Sequence, residues 1–169
     1  GCAIRPFDVK PFLFADIKML GFYSHDVDST MMHDMECSLH PADRMCVSID
    51  RVGAPLCVGI DPVLERLPDE LRSLAELEAF DVFCTGVLDV VDSIAPAVKF
   101  QSACFERLGF RGVELLGNLR ELASNKGIQV ILDAKRGDIG ISAAHYAASV
   151  TVDGPCDWVT VNPYLGVDG

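Results

Sequence analysis

The segment IQVILDAKRGDIG, residues 128–140, decides the fold, because an apolar run changes abruptly into a cluster of charges. Apart from Gln129, residues 128–132 are apolar, as expected of a strand that is buried on both faces. Four charged residues follow within six positions: Asp133, Lys135, Arg136 and Asp138. Charges are costly to bury without partners. The end of this strand is therefore predicted to be part of a functional site.

Three other short apolar runs are similar to this strand and alternate with helical patterns. They are APLCVGIDP (54–62), PAVKFQ (96–101) and DWVTVNP (157–163). Helical patterns cover 76–96, 111–127 and 141–150. The helix predicted over 76–96 should bury the face that carries Phe83, Val87, Val90, Val91 and Ile94. The order β-α-β-α-β-α-β indicates a parallel sheet covered by helices. A doubly wound sheet and half of a (β/α)8 barrel both have this order.

Polar residues at the strand ends favour the barrel. They occur at or just after the end of every predicted strand: Asp61, Lys99, Gln101, Asp133, Lys135, Asp138 and Asn162. In barrels the active site is assembled at that rim, and several strands each contribute a residue. The first strand is not followed by a glycine-rich dinucleotide loop, and no P-loop occurs. We therefore predict an α/β fold, a (β/α)8 TIM barrel of which about the first four βα units are present.

Composition restricts the partners and the compartment. The formal net charge of −11 argues against a nucleic-acid backbone or an anionic membrane as the main partner. The seven cysteines are never closer than nine residues, which is typical of reduced thiols in a cytoplasmic protein. No apolar run reaches the roughly 18 residues of a membrane span. We expect a cytoplasmic protein that binds neither nucleic acid nor membrane.

The first 41 residues lack the regular pattern of the remainder. We expect residues 1–41 to be a poorly ordered leader of unknown role and residues 42–169 to be part of a barrel that lacks its end. Within the leader, His33, Cys37 and His40 would share one helical face and could begin a metal site. No fourth ligand is evident, so scattered polar residues are the favoured interpretation, and we predict no metal.

The charges near residue 133 form a pattern suited to proton donation. Side chains two positions apart on a strand face the same side, so Asp133 and Lys135 are predicted to point together into the barrel mouth. A lysine beside carboxylates stays protonated, which suits a proton donor rather than a nucleophile. Lys99 on the neighbouring strand would extend the pattern to Lys-Asp-Lys-Asp. A buried ion-pair network without a catalytic role is the structural alternative.

Four blocks together resemble one enzyme family. DAKRGDIG (133–140) has its D-x-K-x-x-D pattern, and LCVGIDP (56–62), AVKFQSACFERLG (97–109) and VNPYLG (161–166) follow its order and spacing. The chain from about Ala42 to Gly169 is similar to the N-terminal half of orotidine 5′-phosphate decarboxylases of the bacterial, mycobacterial-type (type 2) branch. The resemblance implies decarboxylation of orotidine 5′-monophosphate to uridine 5′-monophosphate in de novo pyrimidine biosynthesis, without a metal or organic cofactor.

The resemblance also implies roles for single residues. Lys135 would protonate C6 of the pyrimidine, Asp133 would face the departing carboxylate, and Lys99 would bond Asp133 and the ribose hydroxyls. Asp61 would bind the ribose or its surroundings, although an Asp-Pro turn residue is an equal alternative on the sequence alone.

A second group of residues is implied to act between two chains. In this family the residue that corresponds to Asp138 reaches across a homodimer interface into the partner's site. The residues that correspond to Ile139 and Ser142 accompany it. Position 142 is Ser where the family usually has Thr, which keeps the hydroxyl and loses a methyl group.

The resemblance has one further consequence, and two other interpretations of the sequence compete with it. Barrels of this kind bind phosphate after strands seven and eight, which this sequence does not contain, so the chain alone is expected to be inactive. Hexulose-6-phosphate synthase and 3-keto-L-gulonate 6-phosphate decarboxylase resemble the motif but act through a metal-stabilised enediolate. A non-catalytic half-barrel that serves as an interaction module is a third interpretation.

Overall fold

The computed structural model describes residues 40–166, which belong to one compact unit beginning at His40. The predicted leader, including His33 and Cys37, therefore lies outside the described residues except for His40 and Pro41. The strands are β1 (Cys57–Ile60), β2 (Ala97–Gln101), β3 (Gln129–Arg136) and β4 (Trp158–Val161). The helices are α1 (Pro41–Val52), α2 (Asp69–Arg72), α3 (Glu76–Val91), α4 (Ser102–Glu106), α5 (Phe110–Asn125) and α6 (Gly140–Ser149). Short 3-10 turns cover Leu64–Arg66 and Pro163–Leu165.

The four strands form one parallel sheet in the order β1-β2-β3-β4. A doubly wound sheet reverses its strand order at a switch point, whereas here each strand lies beside its predecessor in the sequence. This is the order of the first half of a (β/α)8 barrel. The predicted parallel α/β architecture is confirmed, and the carboxyl ends of all four strands meet at one rim.

Aromatic packing holds the sheet against its helices. Phe80 on α3, Phe100 on β2 and Phe105 on α4 are fully buried, and the Phe105 ring meets the other two edge-to-face at 6.2 and 6.4 Å between centroids. Aromatic pairs prefer this geometry because the positive ring edge faces the negative ring face. The core therefore lies between strands β1–β3 and the helices that follow β1 and β2.

The buried face of α3 agrees with the predicted one only in part. Val91 is buried as predicted, whereas Val90 is 67% exposed and Ile94, which lies beyond the end of the helix, is 49% exposed. Phe80 and Cys84, which were not predicted, are completely buried. Phe83 and Val87 are partly buried against the core. The helix is apolar over a wide arc, so periodicity alone could not choose between neighbouring stripes. The chosen stripe is the one that brings the Phe80 ring against Phe105.

Helix α1 begins at a cap and is attached to the amino-terminal end of the sheet. The His40 Nδ1 atom accepts a hydrogen bond from the Ala42 amide at 3.2 Å, and Pro41 opens the helix. Arg44 forms an ion pair of 2.6 Å with Asp157, whose second oxygen accepts from the Val130 amide at 2.8 Å. His40 is therefore a helix cap in this structure.

The segment that leads into β4 is fixed by α5. Arg120 is only 2% exposed, and its guanidinium donates hydrogen bonds to the carbonyl oxygens of Val150, Gly154 and Pro155. One turn earlier, a Cβ at Gly117 would lie 2.1 Å from the Asp153 carbonyl oxygen. The absence of a side chain at this glycine lets the backbone of the loop reach the helix.

No helix within residues 40–166 is long and apolar enough to span a membrane.

We expect Gly117→Ala to lower the free energy of unfolding by about 1–3 kcal/mol, because the added methyl group would overlap backbone that cannot move aside. Gly86→Ala is the matched control, since Gly86 is an exposed α3 residue with nothing within 4 Å of the added Cβ. The control should gain about 0.5–1 kcal/mol from the higher helix propensity of alanine. Urea denaturation of both variants measures the difference, and equal effects would contradict the close approach at Gly117.

Candidate functional site

The Asp133 carboxylate is the centre of a polar cluster at the carboxyl-terminal rim. Its side chain is 9% exposed. Four donors surround it: Lys99 Nζ at 2.8 Å and Gln101 Nε2 at 3.3 Å on Oδ2, and Lys135 Nζ at 2.5 Å and Thr160 Oγ1 at 2.8 Å on Oδ1. Ionised carboxylates form the stronger class of hydrogen bonds. The cluster therefore compensates the burial of a full negative charge.

Strand register explains why these side chains meet. Gln101 on β2 lies opposite Asp133 on β3, and Lys99 lies two residues earlier on the same face of β2. Asp61 follows β1, and its Oδ1 is 3.7 Å from Lys99 Nζ. Acidic and basic groups consequently alternate along the rim in the order Asp61, Lys99, Asp133, Lys135. The structure brings four of the seven predicted site residues together in this array.

The array fixes two charge states. Hydrogen bonds from Lys135, Lys99 and Thr160 hold the pKa of Asp133 well below its usual value, against the opposing effect of burial. Burial alone would lower the pKa of Lys99, but the hydrogen bond to Asp133 and the charges of Asp61 and Asp133 outweigh it and raise that pKa. Both groups are therefore charged at neutral pH, and the lowered pKa of Asp133 adds stability that is lost only as the pH falls below the ordinary carboxyl range.

A bulge in β3 places the Lys135 side chain. The ladder between β3 and β4 runs through Leu132–Val159 and resumes at Arg136–Val161, so residues 133–135 face only Thr160. Lys135 adopts φ of +49°, a left-handed conformation that costs a non-glycine residue about 1–3 kcal/mol. Asp133 and Lys135 approach each other as predicted. The reason is the bulge, and the regular strand alternation on which the prediction relied does not hold at this point.

The residue after Lys135 faces a different environment. The Arg136 guanidinium donates to Glu106 on α4 and to the Ala134 carbonyl oxygen at 3.2 Å, and it lies 6.0 Å from the centre of the Tyr146 ring on α6. Arg136 is therefore connected to the helices that cover the sheet, while Lys135 is connected to the rim. The four charges that follow β3 in the sequence do not form one site.

Asp138, Ile139 and Ser142 lie apart from the array. The Asp138 carboxylate accepts a hydrogen bond from the Ile139 amide at 2.8 Å and, within residues 40–166, forms no ion pair with Lys135. Ile139 is exposed, and Ser142 lies in the first turn of α6. Asp138 and Ser142 line a shallow surface depression together with His145, Tyr146 and Ser149.

Two groups of the cluster were not predicted as site residues. Gln101 had been noted only as a polar strand end, and Thr160 had been assigned to an apolar strand. Threonine is common in strands, so its type carried no signal. The tendency of hydroxyl side chains to bond nearby backbone was the one available indication.

The donor set does not resemble a metal site. Among residues 40–166, no three or more His, Cys, Asp or Glu side chains converge on one point. The carboxylates of Asp61 and Asp133 face the ammonium groups of Lys99 and Lys135. A metal ion at this point would need the same carboxylate oxygens that the two ammonium groups already contact.

Comparison with known proteins identifies the relatives of this chain. The sequence model of the orotidine 5′-phosphate decarboxylase / HUMPS family matches residues 54–169. The orotidine 5′-phosphate decarboxylase of Rhodopirellula baltica is 40% identical over 141 residues, which cover 75% of this chain and 47% of the relative. That of Salinispora tropica is 44% identical over 121 residues, covering 67% of this chain and 41% of the relative.

A solved structure agrees with the sequence relatives. The OMP decarboxylase of Leishmania donovani superimposes with a TM-score of 0.63 at 31% identity, covering 77% of this chain and 47% of that chain. The chain thus spans about half the length of the curated relatives it matches.

The bulge predicts an unusual order of stability at position 135. Lys135→Gly and Lys135→Ala both remove the ammonium, but only alanine retains a Cβ at positive φ. We expect the glycine variant to have the higher free energy of unfolding by about 1 kcal/mol. Ala134→Gly is the control and should be destabilising by about 0.5–1 kcal/mol, as is usual in strands. Urea denaturation measures all three, and a less stable Lys135→Gly would contradict the left-handed conformation.

Proposed function

As this chain belongs to the orotidine 5′-phosphate decarboxylase / HUMPS family, we propose that the whole protein converts orotidine 5′-monophosphate to uridine 5′-monophosphate and carbon dioxide. The observation that carries the proposal is the rim array in which Lys99, Asp133 and Lys135 lie in direct contact. The enzyme would belong to de novo pyrimidine biosynthesis. The type 2 branch stays a prediction from the four sequence blocks.

The chemistry explains the need for an ammonium at this point. Loss of carbon dioxide from C6 leaves an electron pair in an sp2 orbital, with no adjacent carbonyl group to delocalise it. A positive charge held beside C6 lowers the energy of that transition state without reorganisation. We assign this role to Lys135: its Nζ gives a proton to C6 as the bond to the carboxylate breaks, and the neutral amine regains a proton from solvent. The Lys135 side chain is 64% exposed and so is open to a ligand at the rim.

Asp133 and Lys99 would act on the substrate carboxylate and the sugar. Asp133 is held ionised by its donors, so a substrate carboxylate placed beside it is repelled, and release of carbon dioxide removes the repulsion. Lys99 would orient Asp133 and bond the ribose hydroxyls. Asp61, 3.7 Å from Lys99, would bind the ribose region. The pairing of Asp61 with Lys99 supports this role over that of a simple turn residue.

We also assign Asp138, Ile139 and Ser142 to the site of a second chain in a homodimer. These residues lie next to one another at the start of α6, and the Asp138 carboxylate accepts a hydrogen bond from the Ile139 amide and makes none with the array. A carboxylate so placed is available to another molecule. A cytoplasmic location accords with the five described cysteines, all of which are free thiols.

The related metal-dependent sugar phosphate enzymes are the second candidate, because the family includes HUMPS proteins. Such an enzyme needs acidic ligands for its cation, and the described carboxylates at the rim are instead paired with lysines. We therefore propose a reaction that needs no metal. Chelation should leave turnover unchanged, and a loss restored by Mg²⁺ would favour the second candidate.

Lys135→Ala in the whole protein should abolish release of carbon dioxide from orotidine 5′-monophosphate while uridine 5′-monophosphate still binds. Proton donation belongs to the transition state, so ground-state affinity should change little. Lys126→Ala is the matched control, because Lys126 pairs with Asp89 at the far end of α5. Near-normal turnover by Lys135→Ala would rule out a role of Lys135 in catalysis.

The 169-residue chain alone should be inactive, since the phosphate loops of such barrels follow later strands.

Asp138 should act in trans. Asp138→Ala and Lys135→Ala proteins, each inactive alone, should regain about a quarter of wild-type sites when their subunits are exchanged in equal amounts. Half of the dimers are then mixed, and one of the two sites in each mixed dimer receives neither defect. Activity is measured after subunit exchange has been verified by mass spectrometry. No recovery would show that Asp138 serves its own chain.

A further inference from the structure

Thr160 is the one β4 residue that faces the bulge of β3. Its hydroxyl donates to Asp133 Oδ1 at 2.8 Å and accepts from the Lys135 backbone amide at 3.0 Å. One atom therefore bonds the side chain of the first bulged residue and the backbone of the last. The same two residues form the ammonium–carboxylate pair of the array.

The bulge creates the need for this hydroxyl. Three residues of β3 face one residue of β4, so the Lys135 amide has lost the ladder partner that a regular strand would provide. The ladder resumes immediately afterwards, where the Asn162 amide donates to the Arg136 carbonyl oxygen at 2.8 Å. A hydroxyl can donate one hydrogen bond and accept others at once. Valine has the same shape but would leave both the amide and the carboxylate oxygen without this partner.

The backbone of Lys135 also needs support from outside. Its φ of +49° is disfavoured for a residue with a Cβ, and a disfavoured conformation persists only where surrounding contacts impose it. The Thr160 hydroxyl provides such a contact on the amide of that residue. It lies on a different strand, so the position of β4 is transmitted to the lysine.

We infer that Thr160 is a positioning residue, whose hydroxyl holds the Lys135 backbone in the bulge and thereby aims the ammonium at the reacting carbon. The inference rests on the proposed function for its kinetic consequence, but the geometry can be tested without turnover. Thr160 would touch no substrate atom and would act only through Lys135 and Asp133. Its effect should therefore fall on the chemical step.

The kinetic test compares Thr160→Val, Thr160→Ser and wild type in the whole protein. Thr160→Val should lower kcat by roughly 10-fold to 100-fold, because small displacements of a reacting group have effects of this size, with KM little changed. Thr160→Ser keeps the hydroxyl and should restore most of kcat. Thr151→Val is the matched control, since its hydroxyl lies in the exposed turn after α6. An unchanged kcat in Thr160→Val, or equal losses in the valine and serine variants, would overturn the inference.

A second measurement separates this inference from the proposed function. Amide hydrogen exchange of Lys135 should be faster in Thr160→Val than in wild type and slow again in Thr160→Ser, at equal urea midpoints. If the wild-type protein does not decarboxylate the substrate, the proposed function fails, and the exchange result still decides whether Thr160 holds Lys135. Equal exchange in all three proteins would overturn the positioning role in either case. If the valine variant has a lower urea midpoint, its Lys135 amide exchange is compared with that of the serine variant at urea concentrations that give both proteins the same free energy of unfolding.

Discussion

A carboxylate taken out of water is tolerated only where hydrogen bonds and positive charges replace the lost solvation, and Asp133 is in that position. Its donors come from three strands: β2 supplies Lys99 and Gln101, β3 supplies Lys135, and β4 supplies Thr160. The strands must therefore end at the same level for the charge to be accommodated. The parallel register of the sheet and the charge state of the site are thus two aspects of one constraint.

The environment outside the sheet supports this arrangement. Arg136 leads away from the rim to Glu106 and Tyr146, so adjacent residues of β3 connect the site to two different layers. Arg120 holds the carbonyl groups of the loop that enters β4. Since β4 carries Thr160, a buried arginine in the helical layer contributes to the position of a side chain at the rim.

The sequence was sufficient for features that depend on residue type and order. Continuously apolar strands predicted a parallel sheet, and Lys99, Asp133 and Lys135 were predicted together because lysines and carboxylates at strand ends converge at one rim. The bulge could not be predicted, since it depends on how β3 pairs with β4, and nothing in DAKR differs locally from a regular strand. Thr160 was missed for the same reason. The buried stripe of α3 was predicted correctly only at Val91, because packing against Phe105 chooses between two apolar faces.

The agreement between strand order and chain order has a consequence for biosynthesis. Synthesis on the ribosome releases the chain from its amino terminus, and domains begin to fold before their later parts are made. With the order β1-β2-β3-β4, each of β2, β3 and β4 adds to the edge of the strand made just before it, so these three strands find a partner that is already synthesised. Asp133 is an exception to this progression. Its last donor, Thr160, lies 27 residues later in the chain, so water must take the place of that donor until β4 docks.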